Sequence, residues 1–224
     1  MTGVAFATRV WKYPRTLYWP YSPAHPGVHD DRVDAVRFAG RPIVVTEKLD
    51  GSNTLLHRGK VYTRSVSAPA SAKWLGMVRK HHAWKVTEPD VFLYGEEIYG
   101  VHSIEYEPVP EDRTYYAFAL RFGDGSFGSF RETVDYARVR DIPVVPVLFE
   151  GTFDSVREVC DFVSEAHGRP SALGGEREGV VLRLAAGFPA AEFPRNVCKS
   201  VRVGHVQSDE HWSKRWRPCR IARR

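Results

Sequence analysis

From Pro42 to Val203 the chain is written as short apolar runs parted by glycines and polar turns, and this punctuation constrains its architecture most. PIVVTEKL (42–49), TLLHRG and KVYTRS (60–65) form one closely spaced set. VFLYGEEIYG (91–100), RTYYAFALRF (113–122), VVPVLFEG, EGVVLRL (178–184) and NVCKSVRV (196–203) follow. Each is β-branched or aromatic and strand-like in length. Helical spacing is confined to a few stretches. SAKWLGMVRKHHAWK carries Trp74, Met77, Val78 and His81; FRETVDYARVR (130–140) is closed by Pro143; FDSVREVCDFVSEAHG (153–168) has Gly168 as its C-cap. DDRVDAVRFAG reads as a short helix stopped by Gly40. Strands outnumber helices and many are neighbours in sequence. The expected fold is α+β, with antiparallel β-sheets flanked by helices.

Composition narrows the class. With 43% hydrophobic and 26% charged residues over 224 positions, the chain reads as one large soluble domain. No run approaches the ~18 apolar residues of a membrane span. Arg9, Lys12 and Arg15 interrupt the start, so no signal peptide is expected. Cys160, Cys198 and Cys219 are scattered, which fits a reducing cytoplasm and speaks against a zinc ribbon. The aromatics between Trp11 and Tyr21, with Tyr99 and Tyr136, are expected in the core. His81 and His82 are expected at a helix end on the surface.

The net charge of +5 is uneven: from Arg195 onward nine basic residues face only Asp209 and Glu210. The expected division is a domain over 1–203 and a basic, aromatic tail over 204–224. That tail suits a nucleic-acid strand, or packs its tryptophans on the domain. As a strand holder it would matter less for chemistry in the domain. His205 and His211 are too loosely spaced to suggest a metal.

Gly123-Asp-Gly-Ser-Phe-Gly128 matches the glycine spacing of a dinucleotide-binding loop. Asp124 would set a carboxylate where a pyrophosphate belongs, and the helical pattern begins only near Phe130. A polar turn is the better reading.

Chemistry gathers elsewhere. Glu47-Lys48-Leu49-Asp50-Gly51-Ser52-Asn53 places a lysine at the end of an apolar strand, before a glycine turn. Alone, this is an ordinary hairpin lysine. Arg64, Glu96, Phe118, Glu178 and Lys199 follow in order, each in or at the end of an otherwise apolar run. Charge in such places is costly unless it is paired or faces a cleft. Two lysines, an arginine, several glutamates and an aromatic suit a nucleotide with a divalent cation.

This order resembles the covalent nucleotidyltransferase superfamily of DNA ligases, RNA ligases and capping enzymes. E-K-x-x-G-S-N, Y-A-F and E-G-V-V-L-R resemble its RNA ligase 2-like branch, over about Ile43 to Arg202. The resemblance implies an ATP-dependent RNA ligase with a ligase-type adenylation domain. Lys48 would be the catalytic nucleophile that takes AMP from ATP, with Lys199 on the α-phosphate. Glu47 would lie near the adenine and Asn53 near the phosphate. Arg64 would contact the ribose or a substrate phosphate, Glu96 the ribose hydroxyls, and Phe118 the adenine face. Glu178 would position Mg²⁺ or Mn²⁺. The partner would be RNA with 5′-phosphate and 3′-OH ends.

Two departures stand out. The last motif of the family carries K-x-K, whereas this chain has Val197 before Lys199; Arg195 or Lys214 could substitute. The 25 residues after Lys199 are too few for an OB-fold domain, so none is expected, and another chain could supply substrate binding. The rival readings are a DNA ligase, a GTP-dependent capping-type enzyme, and a non-catalytic nucleotide- or nucleic-acid-binding module.

Overall fold

The computed structural model describes residues 10–23, 31–203 and 216–222. Along them run β1 (Leu17–Tyr18), β2 (Pro42–Lys48), β3 (Ser52–His57), β4 (Lys60–Thr63), α1 (Gly76–His81), β5 (Val91–Glu97), β6 (Tyr115–Phe122) and β7 (Ser126–Phe127). Then come α2 (Phe130–Arg138), β8 (Val147–Thr152), α3 (Val156–His167), β9 (Gly179–Leu184), β10 (Phe188–Pro189), α4 (Phe193–Asn196) and β11 (Val197–Val201). One sheet has the order β1-β11-β9-β2-β8 and the other β10-β7-β6-β5-β3-β4. The expected α+β architecture on antiparallel sheets is found; β1 lies parallel to β11.

The pleat sorts the apolar runs into layers. In β2, Ile43 and Val45 pack outward with Trp19, Phe38 and the α3 residues Val159 and Val163. Val44, between them, turns inward to Leu49, Ile98 and Phe130. In the second sheet, Leu56 and Leu93 meet Val78 of α1 and Ala137 of α2. Leu55, Phe92 and Tyr94 face Tyr13, Phe193 and Val197 across the inter-sheet space. Helices therefore cover both outer faces while the inner faces meet. Each fully buried aliphatic side chain contributes roughly 1.5–3 kcal/mol.

The chain crosses between sheets at Leu49–Gly51, directly after Lys48. A Cβ on Gly51 would lie 2.4 Å from the Glu97 carbonyl oxygen, so only glycine lets this corner approach β5. Ser129 and Glu132 form a capping box on α2, and Ser155 caps α3.

Several local expectations change. The stretch before Gly40 is only a 3₁₀ turn, Ala35–Phe38. The 71–85 segment breaks into a 3₁₀ turn, the short α1 and another 3₁₀ turn. His82 is fully buried, not on the surface; burial, with the Lys85 charge, pushes its pKa down to about 4. Tyr13 and Trp19 are core as expected, whereas Tyr21 is 64% exposed. Within Gly123–Gly128, residues 123–125 turn the chain from β6 into β7, with Asp124 accepting from the Ser126 N–H (2.8 Å) and Oγ–H (2.7 Å).

Residues 216–222 pack on the domain. Val101 N–H donates to Arg217 O (2.9 Å), and Cys219 N–H to Tyr99 O (2.7 Å). Cys219 is buried, and Arg217 and Arg220 both pair with Glu105. Trp216 lies edge-on to Trp74 with ring centroids 6.2 Å apart. His205, His211 and Lys214 lie outside the described residues. No helix among the described residues is long and apolar enough to cross a membrane.

Candidate active site

A cleft of about 600 Å³ opens where the strand ends of the two sheets meet. Lys48, Asn53, Arg64, Glu96, Phe118 and Lys199 all line it. They come from separate strands, and register brings them together. Lys48 on β2 pairs with Gly179 on β9, which sets Glu178 beside it. Asn53 on β3 pairs with Glu96 on β5, and Lys199 on β11 with Val181 on β9.

The Lys48 ammonium lies 2.5 Å from Glu178 Oε1, with the Glu178 side chain only 4% exposed. Burial alone would lower the Lys48 pKa. The carboxylates of Glu178, Glu96 and Asp50 outweigh it, and the pKa is raised. Burial, reinforced by Glu178 and Asp50 against the pull of Lys48, pushes Glu96 up to about 8. Lys199 is pushed down to about 8, first by burial and then by the charges of Lys48, Arg64 and Arg15. Its ammonium lies 4.3 Å from the Tyr18 ring centroid.

Asp50 does not face a ligand. Its Oδ2 accepts from Ser103 N–H (2.8 Å), Ser103 Oγ–H (2.9 Å) and Ile104 N–H (2.7 Å), while the Asp50 N–H donates to Tyr106 Oη (2.7 Å). The corner after Lys48 is thereby tied to the 103–106 loop. His102 from that loop lines the cleft and bonds Ser52 Oγ at 3.2 Å. Glu47 also lines the cleft, but its carboxylate is engaged: it accepts from Ala172 N–H (2.9 Å) and lies 3.6 Å from Arg177 Nε.

At the other end stands Phe118, edge-packed by Tyr13 with centroids 5.0 Å apart. Arg183 reaches across from β9 and donates to the Phe118 carbonyl. Tyr13, Arg15, Trp74, His102 and Arg183 are cleft residues that sequence reasoning missed. Arg183 was findable, lying two positions beyond Val181 on the same strand face. The irregular segment holding Tyr13 and Arg15 carries no period to read. Val197 is buried among Tyr13 and Phe193. Of its suggested stand-ins, Arg195 is exposed on α4 and is not a cleft residue.

No group of three or more His, Cys, Asp or Glu side chains among the described residues forms a metal cage. Glu178 and Glu96 beside Lys48 are hard oxygen donors. They fit a divalent cation that shares its coordination with phosphate oxygens and water.

No curated protein matches the chain. Among solved structures it is similar to an archaeal ATP-dependent RNA ligase (16% identity, TM-score 0.53, covering 86% of this chain and 48% of that one). It is also similar to a Naegleria gruberi RNA ligase mutant with ATP and Mn (15%, 0.52, 75% and 51%). A putative ATP-dependent DNA ligase from Aquifex aeolicus is a third (16%, 0.51, 86% and 50%). The chain thus spans about half the length of these neighbours, and the likeness extends to their nucleotidyltransferase-type fold. A sequence model of the family described as RNA ligase matches residues 41–201, which run from the start of β2 to the end of β11 and contain every strand that lines the cleft; the chain belongs to the RNA ligase family.

Proposed function

We propose that this cleft binds ATP and that the chain is an ATP-dependent RNA ligase acting through a lysyl-AMP intermediate. The observation that carries the reading is Lys48, a cleft residue held from behind by the buried Glu178 carboxylate, in a cleft that Lys199, Glu96 and Phe118 also line. An amine at a strand end, held by carboxylates and faced by a second cation, suits attack on a phosphoanhydride.

In the first step Lys48 Nζ loses a proton and bonds to the α-phosphorus of ATP, and the bond to the pyrophosphate oxygen breaks. In the second, a 5′-phosphate oxygen of RNA attacks the same phosphorus and the N–P bond breaks, leaving AMP on the strand end. In the third, a 3′-OH attacks the 5′-phosphorus and AMP departs. Lys199 offsets the charge that builds on the α-phosphoryl oxygens. Phe118 stacks on the base, Glu96 accepts from the ribose hydroxyls, Asn53 donates to phosphate, and Arg64 takes a ribose or substrate phosphate. Glu178 first holds the Lys48 ammonium in place, and it would hold Mg²⁺ or Mn²⁺. That cation, when bound, neutralises phosphate charge and relaxes the carboxylate hold on Lys48. Glu47 fixes the end of β2 through Ala172 and Arg177 while its backbone borders the adenine end. Three unpaired cysteines accord with a cytoplasmic setting.

The test is transfer of label from α-labelled ATP to denatured protein, followed by sealing of 5′-phosphorylated RNA. Label on the protein and joined RNA support the reading. A protein that binds ATP without becoming labelled is a binding module, and labelling only by GTP makes it a capping-type enzyme. Sealing of DNA ends but not RNA ends makes it a DNA ligase.

A further inference from the structure

Three aromatic rings lead away from the cleft, and the steps above use none of them. Trp74 lines the cleft. The Trp216 ring lies beside it, with centroids 6.2 Å apart and planes at 60°. Tyr99 follows, 6.2 Å from Trp216 at 50°. Tilted in this way the rings do not stack on one another, and each is only half-buried. Trp74 packs on the cluster around α1 and Tyr99 on the inner one, but Trp216 belongs to no hydrophobic cluster of the described residues. The backbone bonds from Val101 to Arg217 and from Cys219 to Tyr99 hold it at the cleft edge all the same. An indole placed there with no core to fill points to a ligand with a flat face.

The surroundings are basic. Arg64, a cleft residue, and Lys73, next to Trp74, are exposed, as is Arg217 beside Trp216. The acids of the adjoining loops are paired, Glu105 with Arg217 and Arg220, and Glu111 with Lys80. Aromatic surface among cations suits unpaired nucleotides, whose bases stack on the rings while their phosphates meet the charges. A base inside a duplex offers no such face, because its neighbours in the stack already cover it.

We propose that Trp74 and Trp216 form a stacking path for unpaired nucleotides of the RNA strand beside the end being joined, with Arg64 and Lys73 on its phosphates, so that the chain favours single-stranded ends. This rests on the reading that the cleft joins RNA ends, and it names the form of RNA that reaches the cleft. Stacking needs no particular base, so the path sets strandedness and not sequence.

The experiment is fluorescence-anisotropy binding of the full chain to a short, labelled, 5′-phosphorylated RNA strand, and to the same strand with abasic sites at its 5′ end or at its 3′ end. One of the two abasic strands should bind the wild type about tenfold more weakly than the intact strand. Trp216→Leu keeps an apolar contact with Trp74 and Tyr99 but has no flat face. It should lose a similar factor for the intact strand and no longer distinguish that abasic one. The slope of affinity against salt should stay as it is, since no phosphate contact is removed. Trp216→Phe should recover most of the affinity, and Trp216→Leu should weaken a fully paired nicked duplex much less than the single strand. Should the leucine variant not fold, Trp74→Leu carries the same test. If Trp216→Leu weakens intact and abasic strands equally, the ring only fastens the tail and the proposal fails. It fails too if the wild type binds intact and abasic strands alike, or if the variant weakens the duplex as much as the single strand. Absence of label from ATP on Lys48 would sink the lysyl-AMP reading and leave this result standing. Label on Lys48 without any binding of RNA would sink the stacking path alone.

Discussion

The two ends of the cleft are built on different principles. At the charged end, Lys48, Glu178, Glu96 and Lys199 arrive from separate parts of the chain; Glu178 acts on the pKa of the other three, and Lys48 on those of Glu96 and Lys199. Their geometry depends on a corner tied through Asp50 to Ser103 and Ile104, in a stretch that the 216–222 segment backs. At the aromatic end, Phe118 and Tyr13 are fixed by ring packing within the inter-sheet core. One end should respond to pH, salt and remote tethers. The other should respond to shape.

The largest expected effect is at the charged end. Lys48→Ala should abolish label transfer from ATP while the protein still folds, because the amine supports no core packing; the melting temperature should fall, since the buried Glu178 carboxylate loses its partner. Persisting label would assign the nucleophile to another lysine. If ATP binding is also lost, the two ends are not separable as argued.

Ending the chain at Val203 comes next. It removes backbone hydrogen bonds to Tyr99, Val101 and Val109 and uncovers an inner-core cluster that includes Cys219. A loss of about 2–4 kcal/mol is expected, lowering the melting temperature by roughly 5–15 °C. Because the 99–106 stretch anchors Asp50, adduct formation should fall by more than ATP affinity does. A stable truncation that labels normally but fails to seal RNA would show that the tether is idle and that the tail serves the strand alone.

Much of this layout was legible in the sequence, for identifiable reasons. Apolar runs broken by glycine located β2, β3, β5, β6, β9 and β11, and the motif lysines and acids fell within them or at their ends. What escaped depended on direction and on tertiary register. Glu47 and Lys48 are adjacent on one strand, so the pleat sends their side chains to opposite faces, and the Glu47 carboxylate goes to Ala172 and Arg177. His82 looked like a helix-end surface residue, yet the break after α1 turns it inward to the Asp112 carbonyl at 3.0 Å. The place of Arg183 opposite Val197 is a fact of strand pairing that no linear spacing reports.

Glu178→Gln tests the mutual control of charge. Glu178 raises the pKa of both Lys48 and Lys199. Adduct formation by free enzyme needs Lys48 neutral and Lys199 charged, so its rate should rise with pH to about 8, where Lys199 starts to lose its proton, then stay level until Lys48 is itself neutral, and fall above the raised Lys48 value. Removing the carboxylate lowers both pKa values, and the whole profile should move to lower pH, with a maximum about a hundredfold below wild type. The raised Lys48 pKa also means that the Lys48–Glu178 pair stabilises the fold below the unfolded lysine value. That contribution disappears as pH rises through the folded value. A profile that drops without moving would mean that Glu178 only positions its neighbours.

The smallest effect is the one that most isolates the aromatic end. Phe118→Leu keeps an apolar side chain against Tyr13 but removes the face on which a base would stack. ATP affinity should fall about tenfold, within the ~1–3 kcal/mol attributed to stacking one base on an aromatic side chain. Phe118 carries no charge with which to act on Lys48, Glu96 or Lys199. The pH profile of adduct formation and the salt dependence of binding should therefore match wild type once ATP is saturating. Phe118→Tyr, which retains the ring, should recover most of the affinity. A shifted pH profile in the leucine variant would mean that loosening β6 disturbs its partner β5, and with it Glu96, which sits on that strand opposite Tyr116. The two ends would then be coupled through the β5–β6 pairing, and the rigid wall would itself be part of the charge-setting machinery.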